Sequence, residues 1–201
     1  MKLFKILLLT PLTIGLIWSC STNNDEIISS SDLKSQPVMK TSNPKVEAVT
    51  IPFKAHFYTK RNYSEDGVGY CTEDPFLAFN YQVGEGEATH LGHFTTTMQF
   101  CAAGFDYKNG IGTFVAANGD ELYIAVPSEG FIGHILAYDD SLYELQFQDP
   151  FTFTGGTGRF EGATGGGMTN SFVDLFDNEG NFIPEHQTDH EFIGTLVLPK
   201  S

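Results

Sequence analysis

Residues 154–167 read TGGTGRFEGATGGG. Seven of these fourteen positions are glycine, set beside one arginine and one phenylalanine. Backbone this bare either cradles a phosphate or turns a structural corner. The phosphate readings fail on spacing. A nucleotide loop needs GxxxxGK[ST]; here Gly158 and Gly162 stand too close and no lysine follows. A dinucleotide fingerprint needs GxGxxG opening a helix. Gly156, Gly158 and Gly162 give one residue too many, and no helical pattern follows. The corner reading fits. Gly155, Gly156 and Gly158 permit positive φ in a tight bend, and Phe160 then folds back as a plug over the end of a core. Gly162 and Gly165–Gly167 let the chain re-enter close beside a neighbouring strand.

What surrounds the corner is period-two sequence. Val49, Ile51, Phe53, Ala55 and Phe57 alternate with Thr50, Pro52, Lys54, His56 and Tyr58, the pattern of a strand with one buried face. FLAFNYQV (76–83) and HFTTTMQFC (93–101) follow, rich in aromatic and β-branched residues. GTFVAANGDELYIAV (112–126) carries Asn118-Gly119 between two apolar runs, a strong hairpin signal. Residues 143–155, 168–176 and 190–198 complete the set, with DNEGN (177–181) as a turn. Helical periodicity is almost absent.

About eight short-linked strands predict an antiparallel sheet, and closure into a barrel removes its edges. The 18 phenylalanines supply an interior filling. A two-sheet sandwich fits less well, because no crossover of Greek-key length stands out. The strands are too polar on both faces for a membrane barrel. The expected fold is therefore all-β, an antiparallel eight-stranded closed barrel over residues 49–201. TGGTGRFEGATG resembles the T-G-G-[ST]-G-x-F-x-x-x-x-G signature of the allene oxide cyclase and dirigent barrel superfamily. ATHLGHFTTT (88–97) and AANGDELY (116–123) are similar to an exported bacterial branch of it. The resemblance spans roughly residues 50–198. It implies an eight-stranded barrel with an apolar lumen and a tendency toward trimers or dimers. It transfers no catalytic residue, because the motif marks a corner and fold does not carry function.

The N-terminus reads MKLFKILLLTPLTIGLIWSC. Lys2 and Lys5 precede an apolar stretch from Ile6 to Trp18 that is short and interrupted by Pro11 and Gly15, as in a secretory signal. Ile17, Trp18, Ser19 and Cys20 resemble a bacterial lipobox. This implies a signal peptide over 1–19 and diacylglycerol on the Cys20 thiol, which with further acylation holds a domain to a bilayer. An ordinary signal peptide containing a cysteine is the competing reading. Residues 20–48 are rich in Ser, Asn and Asp, with Pro37 and Pro44, and read as a flexible tether. By analogy with lipoproteins, Ser21 implies delivery to the outer membrane of a bacterial cell envelope.

Charge narrows the partners. The chain has 25 acids against 11 Lys and Arg, a net −14, and two of those lysines lie in the signal. Nucleic acid and anionic headgroups are repelled, so the acyl anchor has to do the membrane binding. Cys71 and Cys101 are the other cysteines; in an exported domain the pair reads as a disulfide worth roughly 3–4 kcal/mol. A reactive thiol or metal site is the alternative, without CxxC support.

Motifs for chemistry are sparse. His90 and His93 in HLGH, and His186 and His190 in HQTDH, are read as strand-end histidines rather than ligands, so no metal or other cofactor is assigned. Asp174, Asp177 and Glu179 miss the calcium-loop spacing, and no GxSxG elbow occurs. A small apolar ligand in a barrel lumen would meet Phe57, Phe79 and Tyr81, with Arg159 as a polar contact. Two functions follow as expectations. One is a lipid-anchored, non-enzymatic barrel that binds a small hydrophobic ligand or acts as an interaction module. The other is an isomerase- or cyclase-like enzyme acting on a hydrophobic intermediate in the lumen.

The lipobox reading predicts that Cys20→Ser, expressed in a bacterial envelope, leaves the detergent-extracted membrane fraction and lacks the acyl mass on its N-terminal peptide. Unchanged membrane retention of that variant would refute the anchor.

Overall fold

A computed structural model describes residues 47–73, 75–138 and 142–200. The expected signal peptide, the Cys20 lipidation site and nearly all of the tether lie outside the described residues. Among the described residues, ten strands run in chain order: β1 (Ala48–Arg61), β2 (Ala78–Ala88), β3 (Gly92–Ala103), β4 (Asp106–Ala116), β5 (Glu121–Ala125), β6 (Gly133–Ala137), β7 (Leu145–Phe147), β8 (Pro150–Gly156), β9 (Thr164–Phe176) and β10 (Phe182–Pro199). The one helical element among the described residues is a 3-10 turn, Gly158–Phe160.

The sheet closes on itself. β1 pairs β2 on one side and β10 on the other, and β10 returns to β9, all antiparallel. Between β4 and β9 the wall is built in two storeys. β5 and β8 fill it toward one end, and β6 and β7 toward the other. Every level of the barrel therefore has eight strands, two of them interrupted. The sequence pattern missed β6 and joined β7 to β8 as a single strand over 143–155. The interruption is at Gln148 and Asp149, where a buried carboxylate takes over from the ladder. Asp149 Oδ2 accepts from the Tyr107 hydroxyl at 2.8 Å and Oδ1 from the His134 amide at 3.3 Å. Its own amide donates to Thr169 Oγ1 at 2.9 Å. One residue thus ties β4, β6 and β9 across the gap.

The inward positions differ between the two ends. Toward the β8–β9 connection they are Phe53, Phe57, Phe94, Phe114, Phe151, Phe153 and Phe192, all buried. Their rings meet mostly edge to face, as in Phe53–Phe153 at 4.8 Å and Phe57–Phe114 at 5.3 Å. The glycine-rich stretch caps this end. Gly158 (φ 55°) and Gly162 (φ 69°) take the left-handed conformation on either side of the 3-10 turn. Phe160 between them is fully buried in the core. Gly155 (φ 130°) is also at positive φ, but Gly156 is not. Gly156 is needed for space instead: a Cβ there would meet the Glu121 carbonyl and Phe160. The second half of the stretch is not loop at all, since β9 begins at Thr164.

Cys71 and Cys101 are bonded, with Cα atoms 5.7 Å apart. The bridge fastens the long β1–β2 connection to β3, where Cys101 is fully buried. The described barrel predicts that Phe160→Ala lowers the unfolding free energy by about 3–5 kcal/mol through the cavity it leaves. A denaturant melt with a midpoint close to wild type would show that the plug contributes little.

Candidate functional site

The end of the barrel opposite the phenylalanine layers holds a cavity of about 220 Å3. It forms because the inward positions change character there. Continuing β1 past Phe57 gives Thr59 and Arg61; β2 contributes Gln82 and Asn80, and β10 contributes His190, Thr188 and His186. Apolar walls come from Met98, Phe100, Ile135, Leu145, Phe147 and Val173. Small residues on the opposite wall, among them Ala102 and Gly110, leave the space unfilled.

His190 stands at the boundary between the filled and hollow halves. It is buried, and the Phe57 ring stacks on it at 4.5 Å with 17° between the planes. Both ring nitrogens are engaged. Ser171 Oγ lies 2.8 Å from Nδ1, and Thr59 Oγ1 lies 2.9 Å from Nε2. Thr59 donates its own hydrogen to Gln82 Oε1 at 2.6 Å, so it accepts from the Nε2–H. That assignment makes Nδ1 the acceptor for Ser171. The chain Ser171–His190–Thr59–Gln82 then joins β9, β10, β1 and β2 by one direction of donation. Burial without a counter-charge pushes the imidazole down to about 3, so it is neutral at pH 7. Both lone-pair and N–H sites being taken, His190 holds the wall together and has no free nitrogen for proton transfer.

His186, two inward positions further along β10, is different. Its Nδ1 is buried with no hydrogen-bond partner. Burial, then the nearby Arg61 charge, hold it below the ordinary histidine range; hydrogen bonds to the Ile183 and Pro184 backbone and the Asp174 charge pull the other way. Tyr107 also lines the cavity, and burial and Asp149 push its phenol strongly upward, so it is a hydrogen-bond donor at any ordinary pH.

The residues predicted as ligand contacts are placed elsewhere. Phe57 is packed in the filled half. Phe79 sits under the β1–β2 connection against Tyr70, with rings 5.4 Å apart. Tyr81 lies between the inward positions Asn80 and Gln82 and so faces outward. Arg159 is at the capped end, 3.5 Å from Asp120 and over the Phe160 ring. None of the four lines the cavity. The period-two count placed Phe57 inward correctly but stopped one residue short of the lumen's polar run. Carrying it on would have reached Thr59, the hydrogen-bond partner of His190 at the edge of the cavity. The four histidines do not converge. His90 is in the β2–β3 turn at φ 67°, and His93 is on the outer face near Glu85 and Glu87, whereas His186 and His190 point inward. Among the described residues, no group of three or more His, Cys, Asp and Glu is arranged to hold a metal ion.

The chain matches no protein-family model and no curated protein sequence. What the fold and the cavity define is therefore the class: a closed antiparallel eight-stranded barrel with one end packed and the other hollow.

The His190 environment predicts a pH signature. Its folded form resists protonation down to about 3, while the unfolded imidazole protonates near 6.5. The stability it contributes is complete above the unfolded value. It declines by about 1.4 kcal/mol per pH unit as the pH falls from there toward 3. His186, also lowered, adds in the same direction. Urea melts from pH 7.5 to 4 should therefore show a shallower acid decline for His190→Gln than for wild type. Parallel declines would contradict the assignment.

Proposed function

We propose that this protein is a lipid-anchored, non-enzymatic barrel of a bacterial cell envelope, held by acyl chains on Cys20, that binds a small apolar molecule in its hollow end. The outer membrane is the proposed location, as Ser21 after the anchor cysteine suggests. Membership of the allene oxide cyclase-like superfamily belongs to this proposal, on the glycine motif. The observation that carries the binding reading is the 220 Å3 cavity itself, bounded by aromatic and aliphatic side chains in a barrel whose other half is solidly packed. Natural cores rarely leave a space this large, which would hold about seven waters, without an occupant. Its size falls below the range of drug-sized sites, so the ligand is compact.

The surroundings support access from an apolar phase. Exposed Tyr63, Val68, Phe105 and Phe182 sit on connections or strand starts at the hollow end, and Phe131 and Ile132 on the β5–β6 connection between the storeys. The alternative, an isomerase- or cyclase-like enzyme, is favoured by one specific observation: the unpartnered Nδ1 of His186 in the lumen.

Toluene serves as a neutral probe. It should produce saturable amide shifts confined to β3, β6, β7 and β9 around Phe100, Ile135, Phe147 and Val173. Ala102→Phe, which fills the cavity from β3, should abolish them while the rest of the spectrum is preserved. Shifts that do not saturate, or that survive in the filled variant, would overturn lumen binding.

A further inference from the structure

Among the described residues, three buried side-chain polar atoms have no hydrogen-bond partner: Arg61 Nη1, Asn80 Oδ1 and His186 Nδ1. The strand register gathers them at the hollow end. Arg61 pairs with Gln82 across β1 and β2, and Asn80 is the next inward residue of β2. Lys60 pairs with Gln187 across β1 and β10, so His186 is the β10 residue beside Arg61. Asn80 and His186 both line the cavity, and Arg61 stands behind that lining, beside His186 and opposite Gln82 in the register.

The guanidinium is held in place by its other atoms. Nη2 donates to the Phe79 carbonyl at 2.6 Å, and the group lies 5.0 Å from the centre of the Tyr63 ring. Among the described residues Arg61 and the exposed Lys60 form no ion pair, while Lys54, Lys108, Arg159 and Lys200 each have a carboxylate partner. A buried guanidinium N–H without an acceptor is costly to keep unless something arrives to accept from it. The other two orphans have the opposite sense. Asn80 Oδ1 is an acceptor. In the tautomer protonated on Nε2, the unpartnered His186 Nδ1 is a lone-pair acceptor as well. The set is one charged donor and two neutral acceptors beside an apolar chamber.

We infer that the ligand is a compact apolar molecule bearing a carboxylate and an adjacent hydroxyl, the carboxylate accepting from Arg61 and the hydroxyl donating to His186 or Asn80. This rests on the lumen-binding reading. The apolar body occupies the space between Phe100, Ile135 and Phe147, and the head faces the β1, β2 and β10 side.

Toluene, phenylacetate and mandelate form a graded series: body alone, body with carboxylate, and body with carboxylate and adjacent hydroxyl. Binding followed by amide shifts on the folded 20–201 chain should tighten about tenfold or more from toluene to phenylacetate, and about threefold or more from phenylacetate to mandelate. Arg61→Gln should erase the first step and leave toluene binding unchanged; Arg61→Lys, which keeps the charge but not the fork, should restore part of it. His186→Leu should erase only the second step. If toluene binds and phenylacetate binds no tighter, or if the carboxylate preference survives in Arg61→Gln, the head-group assignment is wrong while lumen binding stands. If toluene itself does not bind, the lumen reading fails with it.

Discussion

A sheet of eight strands can close only if its strands approach closely along the whole seam, and here that approach is made backbone to backbone. The carbonyls of Tyr58 and His56 occupy the positions where side chains would begin at Gly84 and Gly86. Gly167 and Gly194 face each other across β9 and β10, each against the other strand's main chain. A methyl at any of these sites would have to displace a neighbouring strand, not a flexible side-chain tip. The closed ladder satisfies the strands' amides and carbonyls without leaving an exposed edge.

Bare backbone on the seam also makes room for what fills the barrel. Gly86 lies directly opposite Phe57, and a side chain there would intrude on the Phe57 Cβ. The large rings of one strand are thus matched by empty positions on the next, and the phenylalanine layers pack edge to face without widening the ring of strands. Where the phenylalanines stop, nothing of equal volume replaces them. Thr59, Thr188, Ser171 and Ala102 are short, and the hollow end follows from that shortfall.

The boundary between the two halves is electrostatic as well as steric. A neutral histidine with both nitrogens bonded fits a dry wall, because it carries no charge to solvate and leaves no donor or acceptor orphaned. Beyond it, toward Arg61 and His186, lie the unpaired buried polar atoms found among the described residues. The contrast within one chain, satisfied polar groups in the wall and unsatisfied ones around the chamber, is what the proposed ligand site rests on.

By itself the sequence determined the strand alternation, the Asn118-Gly119 hairpin, the glycine corner with Phe160 as its plug, and the closed eight-stranded barrel. These are local or periodic properties: side chains alternate every second residue, and glycine and asparagine set turn geometry wherever they stand. The pairing of Cys71 with Cys101 was legible because they are the only cysteines besides Cys20. Tertiary structure alone decided the two-storey wall, since the break at Asp149 depends on Tyr107 and His134 meeting it from distant strands. It also decided which end is hollow and which polar residues share it. Arg61, Asn80 and His186 belong to strands separated by up to about three-fifths of the chain. Nothing in their spacing tells that β1 lies between β2 and β10, which is fixed only when the barrel closes.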